Sequence, residues 1–553
     1  MGKKKKELSI QKSILNILEQ NPTQSFTYKQ VGSRLGINDP SGRNHIIKSL
    51  KKLNELKLIE EVKRGSYQVA QKKKYFEGIL DLSGKGIGYI ISEDFDNDII
   101  ISSNQFHKAF GGDTVKFYVY PTRGKRRQEG KITEIVSRKR KQFVGTLQKK
   151  NNTLFVRVNP RTSSTDFYID EEPVVETKDG DRVLIEFTEW KESKSPQAKI
   201  LEVLGTPGEL GTEIHTILAE YGLSYKFDSH IEDEADKIET TLDSKEIKKR
   251  MDYRDVLTFT IDPTDAKDFD DALSFKPLEN DLFEIGVHIA DVSHYVTPGS
   301  VLDDEAYQRA TSVYLVDRVV PMLPEILSNK VCSLRPNEEK LTFSAIFTLD
   351  KQGKVHDQKF GRTVINSNYR FAYHEAQYII ETKQGKIPSE ISLTNKSYTA
   401  SDGVVQAVLQ LDETAKILRK NRMQSGAISF DKEEVKFKLD EQSKPTEVYV
   451  KTSKEANKLI EEYMLLANKK VSEFIAKQDP KKTFVFRVHD KPDEDKLDQL
   501  KNVIASFGYS LNLATPETTA HSINKLLNDV RNKKEQNLID TLTIRSMSKA
   551  IYT

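Results

Sequence analysis

The feature that most constrains the fold is an acidic run, Asp262-Pro-Thr-Asp-Ala-Lys-Asp-Phe-Asp-Asp271, wedged between two apolar, β-branched stretches. Upstream lies Val256-Leu-Thr-Phe-Thr-Ile261 and downstream Phe283-Glu-Ile-Gly-Val-His-Ile-Ala290, both of the composition found in buried strands. Carboxylates brought close together raise one another's pKa and repel, so an ordered run of this kind requires a bound cation or basic partners. An all-oxygen donor set points to Mg²⁺, or to Mn²⁺, rather than to Zn²⁺. A solvated acidic loop is the competing reading of a charge run, but here strand-like flanks hold both ends. A calcium-binding EF-hand loop is excluded, because the run lacks that motif's glycine at position six and glutamate at position twelve.

A chain of 553 residues holds several domains, and 37% hydrophobic with 31% charged residues is the balance of a globular protein. The single cysteine, Cys332, excludes a disulfide framework and a cysteine-rich zinc site, and is expected to be a core thiol. No apolar run is long enough to span a bilayer, and the start Met-Gly-Lys-Lys-Lys-Lys has neither a signal-peptide core nor a myristoylation motif. The expected location is cytoplasmic, with no membrane partner. The net charge of +3 conceals an asymmetry: residues 1–74 carry 17 Lys and Arg against 6 Asp and Glu, a balance of +11 that leaves −8 for the rest. A basic N-terminal part joined to an acidic one points to a polyanionic partner, nucleic acid first. The competing reading, a solubilising tail, fits only Lys3 to Lys6.

Residues 1–72 read as a winged helix-turn-helix. Ile10, Ile14, Leu15, Ile17 and Leu18 give one helix face, Tyr28 to Leu35 a short second helix stopped by Gly36, and Ser41 the expected cap of a third. Arg43, Lys48 and Lys51 on that third helix are available to phosphates, and Leu58 to Val62 with Ser66 to Val69 form the wing. Residues 75–204 contain an internal repeat. Gly112-Asp-Thr-Val115 matches Gly180-Asp-Arg-Val183, and Gly130-Lys-Ile-Thr-Glu-Ile-Val136 resembles Gln197-Ala-Lys-Ile-Leu-Glu-Val203. Two five-stranded OB or cold-shock barrels, at 75–138 and 141–204, are the simplest reading. In the first, Lys85 and Tyr89 are candidates for contact with single-stranded nucleic acid, although Tyr89 reads equally as barrel surface. Arg123 to Arg127 and Arg138 to Lys141 are basic loops able to follow a phosphate backbone. A polar, helical connector over 205–252 then leads to a mixed α/β domain over 253–553.

The acidic run Asp262-Pro-Thr-Asp-Ala-Lys-Asp-Phe-Asp-Asp-Ala-Leu273 resembles the catalytic signature of the ribonuclease II/R family of 3′-to-5′ exoribonucleases. Ile285 to Tyr295, Ser312 to Tyr314, Arg318 to Glu325, Leu327 to Arg335, Ser425 to Phe430 and Arg487 to Asp490 are similar to further family segments in the same order. With a winged-helix-like start and two cold-shock-like barrels, nearly the whole chain resembles the longer members of that family. The resemblance implies an RNB catalytic domain and processive, Mg²⁺-dependent hydrolysis of single-stranded or 3′-overhang RNA to 5′-mononucleotides. A ribosome or RNA-degradation complex is the implied partner assembly. It places Asp262, Asp268, Asp270 and Asp271 around the metal, with Asp270 closest to cleavage, and leaves Asp265 to cap or brace the loop. It places Tyr314, Tyr373 and Phe430 against terminal nucleotides and Glu462 on substrate. An aromatic beside a strand is otherwise most simply read as core.

The last segment, Thr541 to Thr553, resembles what precedes a Thr-Ser-Pro-Ile-Arg-Arg-Tyr-Pro-Asp stretch in the family. The RNB domain is therefore expected to be incomplete, without the arginine that steadies the transition-state phosphate and without a following OB domain. Loss of such a cation typically costs several kcal/mol of barrier. A catalytically weak RNA-binding protein, and less favourably a winged-helix transcription regulator, are the alternative readings.

Overall fold

The computed structural model describes residues 2–21, 24–69, 74–120, 127–150, 153–170, 176–191, 195–430, 434–441 and 444–553, with side chains from Ile10 onward. Lys3 to Lys6, whose side chains fall before that point, and Arg123 to Arg126 lie outside what is described. The chain divides into two compact units, Met1–Gly222 and Leu223–Thr553.

The first unit opens with helices Gly2–Glu19, Tyr28–Arg34 and Pro40–Glu55 and a small sheet in the order Phe26–Thr27, Ser66–Val69, Ile59–Lys63. Ile14, Leu18, Val31, Ile46, Leu50 and Ile59 form its core. Gly36 ends the second helix at φ +67°, a conformation that costs glycine nothing. The third helix starts differently from expectation: Asp39, not Ser41, caps it by accepting the Gly42 amide at 2.8 Å. Pro40 takes the first helical turn, where a missing N–H is harmless, so the capping position moves one residue ahead of it.

Two closed five-stranded barrels follow, the first built from Tyr75–Leu82, Gly88–Ile91, Ile99–Ile101, Glu129–Ser137 and Thr114–Val119. The second is built from Gln142–Lys150, Thr153–Val158, Phe167–Ile169, Gln197–Gly205 and Arg182–Phe187. The repeated Gly-Asp pairs make the same turn twice, with Gly112 at φ +92° and Gly180 at φ +93°. Asp113 accepts the Phe110 amide at 2.9 Å as Asp181 accepts the Lys178 amide at 2.8 Å. Arg138, expected to face a phosphate backbone, faces inward instead. Its guanidinium pairs with the fully buried Asp113 at 2.7 Å and lies 4.5 Å and 4.8 Å from the Phe110 and Phe187 ring centres. A buried carboxylate must be paired, and that requirement takes precedence over solvent-facing work.

The second unit is a seven-stranded mixed sheet in the order Met251–Tyr253, Val355–Asn366, Glu339–Asp350, Leu282–Ala290, Asp271–Pro277, Thr258–Asp262, Tyr369–Ala372. Helices Tyr373–Thr382, Asp402–Gln424 and Glu455–Ala476 cover one face, packing Ile379, Leu411 and Leu459 on Phe259, Ile261 and Leu273. The other face carries Phe269, Ala272 and Cys332 against Leu302, Leu327, Ile231 and Ala235. Both faces are covered, which is why Thr258–Asp262 is buried along its whole length and shows no alternation. Ile231 and Ala235 belong to the helix Ser229–Asp236, so the later half of the expected connector is part of this domain's core. Leu497, Leu500, Ile523, Leu526 and Ile539 form a separate helical cluster toward the C-terminus.

Candidate active site

The acidic run spans the gap between two neighbouring strands of the sheet. Asp262 is the last residue of Thr258–Asp262, in parallel register with Ala372, and Asp271 is the first of Asp271–Pro277, opposite Ile289. Between them the chain forms no helix or strand. Phe269 is turned into the core, so Asp268 and Asp270 on either side of it face outward: Asp268 is half-buried and Asp270 exposed.

Burial, reinforced by the Asp271 and Asp268 charges, pushes Asp262 up to about 7 against the pull of the Arg370 guanidinium. Burial and then the Asp270 charge push Asp271 up to about 6, and Asp270, although its side chain reaches solvent, is raised by partial desolvation from the surrounding chain and then by the Asp268 charge. Oδ2 of Asp262 is buried with no hydrogen-bond donor. Such an orphan costs free energy unless a cation meets it.

The oxygen-only donor set and this orphaned atom fit a hard divalent cation. The expected enclosure by all four aspartates is not closed, since among the described residues no three His, Cys, Asp or Glu side chains converge to metal-holding distance. Incomplete ligation suits Mg²⁺, which usually keeps several waters and takes only one or two carboxylates.

Of the aromatics, two reach this cluster. Tyr314, in a short hairpin with Val319, is 66% exposed and donates to Oδ2 of Asp268 at 3.0 Å. Tyr373 opens the helix that follows Ala372, and burial with the Asp271 and Asp262 charges pushes its phenol up to about 12. Phe430 and Glu462 are placed elsewhere. Phe430 lines a cavity of about 590 Å³ whose lining includes Arg419, Arg422 and Lys458 but none of the four aspartates. Glu462 is 3% exposed, and Arg422 Nε lies 3.2 Å from each of its carboxylate oxygens. In the first barrel Lys85 is exposed in a turn and Tyr89 is half-buried on the strand Gly88–Ile91.

Sequence reasoning missed the residues that hold the loop. Arg370 Nη2 donates to the carbonyls of Pro263, Thr264 and Ala266 at 3.2, 3.0 and 3.2 Å. Ser333 Oγ donates to Lys267 O at 2.9 Å and accepts the Phe269 amide at 3.1 Å. Asp265, expected to brace the loop, is exposed, and bracing comes from these two distant residues instead. Each sits about 65 to 110 positions away in sequence, so only Ser333's place within a family segment gave any signal.

The chain matches the RNB domain over residues 250–553, the Ribonuclease B OB domain over 78–135 and a cold shock domain over 155–228. It is 36% identical over 492 residues to Ribonuclease R 2 of Lactococcus lactis, covering 86% of this chain and 72% of that one. The chain belongs to the ribonuclease R family. Membership makes it a 3′-to-5′ exoribonuclease of the RNB type. Ribonuclease R of Aquifex aeolicus is 30% identical over 547 residues, covering 98% of this chain and 74% of the relative. Among solved structures, Mycoplasma genitalium RNase R in complex with ribose methylated single-stranded RNA superposes with a TM-score of 0.75 at 25% identity, over 86% of this chain and 73% of the other. The ribonuclease R fold thus accounts for both barrels and the mixed sheet. Among the described residues no helix is long and apolar enough to cross a membrane.

Proposed function

We propose that this chain is a divalent-metal-dependent, processive exoribonuclease that takes the 3′ end of single-stranded or overhanging RNA and releases 5′-mononucleotides. The observation that carries the reading is Asp262, whose buried Oδ2 has no donor while neighbouring aspartates raise its affinity for a positive partner. Asp262, Asp268, Asp270 and Asp271 would hold Mg²⁺, or Mn²⁺, together with water and phosphate oxygens. When bound, the ion supplies a Lewis acid for the scissile phosphate and an acidified water.

The chain's own residues supply the remainder. Asp270, the exposed member of the four, is the carboxylate that a substrate phosphate and its attacking water can approach. Tyr314 offers an exposed ring for a terminal base while its hydroxyl is tied to Asp268, and Tyr373 lies within reach of the Asp262 and Asp271 charges. Phe430 stacks a base farther along, and Arg422, which occupies Glu462, presents charge to the same cavity. On the first barrel, Lys85 and Tyr89 offer phosphate attraction and sequence-tolerant stacking to single-stranded RNA. The N-terminal three-helix, three-strand module reads as a winged helix, with Arg43, Lys48 and Lys51 adding further phosphate contacts. Selectivity for RNA over DNA requires contacts to the 2′-hydroxyl.

Purified chain with Mg²⁺ should shorten 5′-labelled single-stranded RNA stepwise from its 3′ end, and should be silent in excess EDTA. Asp270→Asn should abolish shortening while leaving RNA affinity in EDTA at the parental value. Shortening that survives the substitution or the chelator refutes the reading.

A further inference from the structure

The segment from Pro263 to Asp270 has no secondary structure, so its shape is set by whatever grips its backbone. Two residues do so from outside. Ser333 holds the far part, at Lys267 and Phe269, from within the core. Arg370 holds the near part. It lies on the strand Tyr369–Ala372, paired with Thr260, two positions before the residue that pairs with Asp262. From there its guanidinium reaches over the run. Nη2 shares its two N–H bonds among the carbonyls of Pro263, Thr264 and Ala266. The guanidinium carbon sits 4.8 Å from the centre of the Phe269 ring, and Phe269 separates Asp268 from Asp270. One side chain therefore touches the arc that leaves Asp262 and the residue from which two of the other aspartates diverge. Its Nε is buried without an acceptor, a cost that a solvent-facing arginine would not incur.

We propose that Arg370 is a positioning residue of the carboxylate site, setting the separation between Asp262 and the Asp268–Asp271 group and through it the affinity for a divalent cation. The inference rests on the metal reading above. Mg²⁺ and Mn²⁺ accept little departure from their preferred geometry, so a loop that drifts by even about an ångström loses ligation. Lysine is no substitute: a single ammonium lacks the planar fork that bridges several carbonyls while stacking on a ring.

The test is Mn²⁺ titrated, without RNA, into the full chain and into Arg370→Ala, Arg370→Lys and Asp270→Asn, with free Mn²⁺ read by electron paramagnetic resonance. Residues that orient metal ligands typically govern affinity by about 10- to 100-fold, so Arg370→Ala should weaken Mn²⁺ by at least about tenfold and Arg370→Lys by less. RNA affinity in EDTA should stay parental, and the rate of RNA shortening should recover toward parental as Mn²⁺ is raised, which a general loss of fold would not allow. Parental Mn²⁺ affinity in Arg370→Ala overturns the proposal. If that variant does not fold, parental affinity in Arg370→Lys overturns it instead. Absence of Mn²⁺ binding in the parent, or binding unchanged in Asp270→Asn, overturns the metal reading and this proposal with it, whereas parental affinity in Arg370→Ala beside weakened affinity in Asp270→Asn overturns the proposal alone.

Discussion

The Tyr314 hydroxyl donates a 3.0 Å hydrogen bond to Oδ2 of Asp268 while most of its ring stays exposed. Burial first, and then the Asp268 charge, push the phenol up to about 12, so it keeps its proton and remains a donor across the working range. Ring and hydroxyl thus have separable tasks. Tyr314→Phe removes only the donor and should lower kcat/KM by roughly fivefold, the equivalent of about 1 kcal/mol for an exposed hydrogen bond to a charge. Tyr314→Ala also removes the stacking surface, worth about 1–3 kcal/mol per base, and should lose correspondingly more. Rates of RNA shortening at limiting substrate check both. Equal losses in the two variants would leave the ring without a role.

Asp262 and Asp271 should make the chain in EDTA less stable as pH rises. Their folded carboxyls sit at about 7 and about 6, above the ordinary 3.8, so the folded state holds protons that the unfolded state has released. Stability from this source is complete below about pH 4 and is lost as pH climbs to about 7, on the order of 1–3 kcal/mol after allowance for partial exposure. Asp262→Asn should flatten the slope, and Mg²⁺ should restore stability at neutral pH. Urea unfolding between pH 4.5 and 7.5, with and without the ion, measures all three.

His288 should act in the opposite direction. It is fully buried between Ser344 Oγ at 2.7 Å and Ser274 Oγ at 2.8 Å, and burial pushes it down to about 3 from 6.5. The unfolded chain therefore takes up a proton that the folded one refuses, and stability falls as pH drops below about 6.5 toward 3. His288→Gln should remove that acid sensitivity from the unfolding curve. Gly286 makes room for the ring: a Cβ there would lie 2.4 Å from His288 Nε2 and 2.4 Å from Ser274 Oγ. Gly286→Ala should cost about 1–3 kcal/mol of stability, read in the same urea series.

Arg138→Ala should destabilise the first unit by about 3–5 kcal/mol, because it leaves Asp113 buried and unpaired. RNA affinity measured below the unfolding transition should hardly change. The companion Arg138→Met with Asp113→Asn should recover much of the stability, which differential scanning calorimetry checks. A large drop in affinity with stability intact would return Arg138 to the phosphate path.

Elements defined by local pattern were legible in the chain. The strands flanking the acidic run and the duplicated Gly-Asp turns declare themselves through composition over a few residues. Residues whose task depends on a distant partner were not. Arg138 read as a phosphate contact because its charge is local information, whereas the buried Asp113 that claims it is 25 positions away. Glu462 was assigned to substrate by the resemblance alone, and its ion pair with Arg422, 40 positions away, could not be read from the chain. Ser41 lost its capping place to Asp39 through a neighbour, Pro40, whose missing N–H changes which residue is worth capping.

The sequence by itself determined that carboxylates would be pinned between core strands, that two similar barrels precede them, and that a basic segment leads. Those conclusions need only spacing, periodicity and charge, which are properties of short stretches. Only the tertiary structure decided which aspartate is buried without a donor, which aromatics reach the cluster, and that Arg370 and Ser333 shape the loop between. Burial and hydrogen-bond partnership are set by chain segments that meet in space, and their energies depend on desolvation that no local pattern encodes.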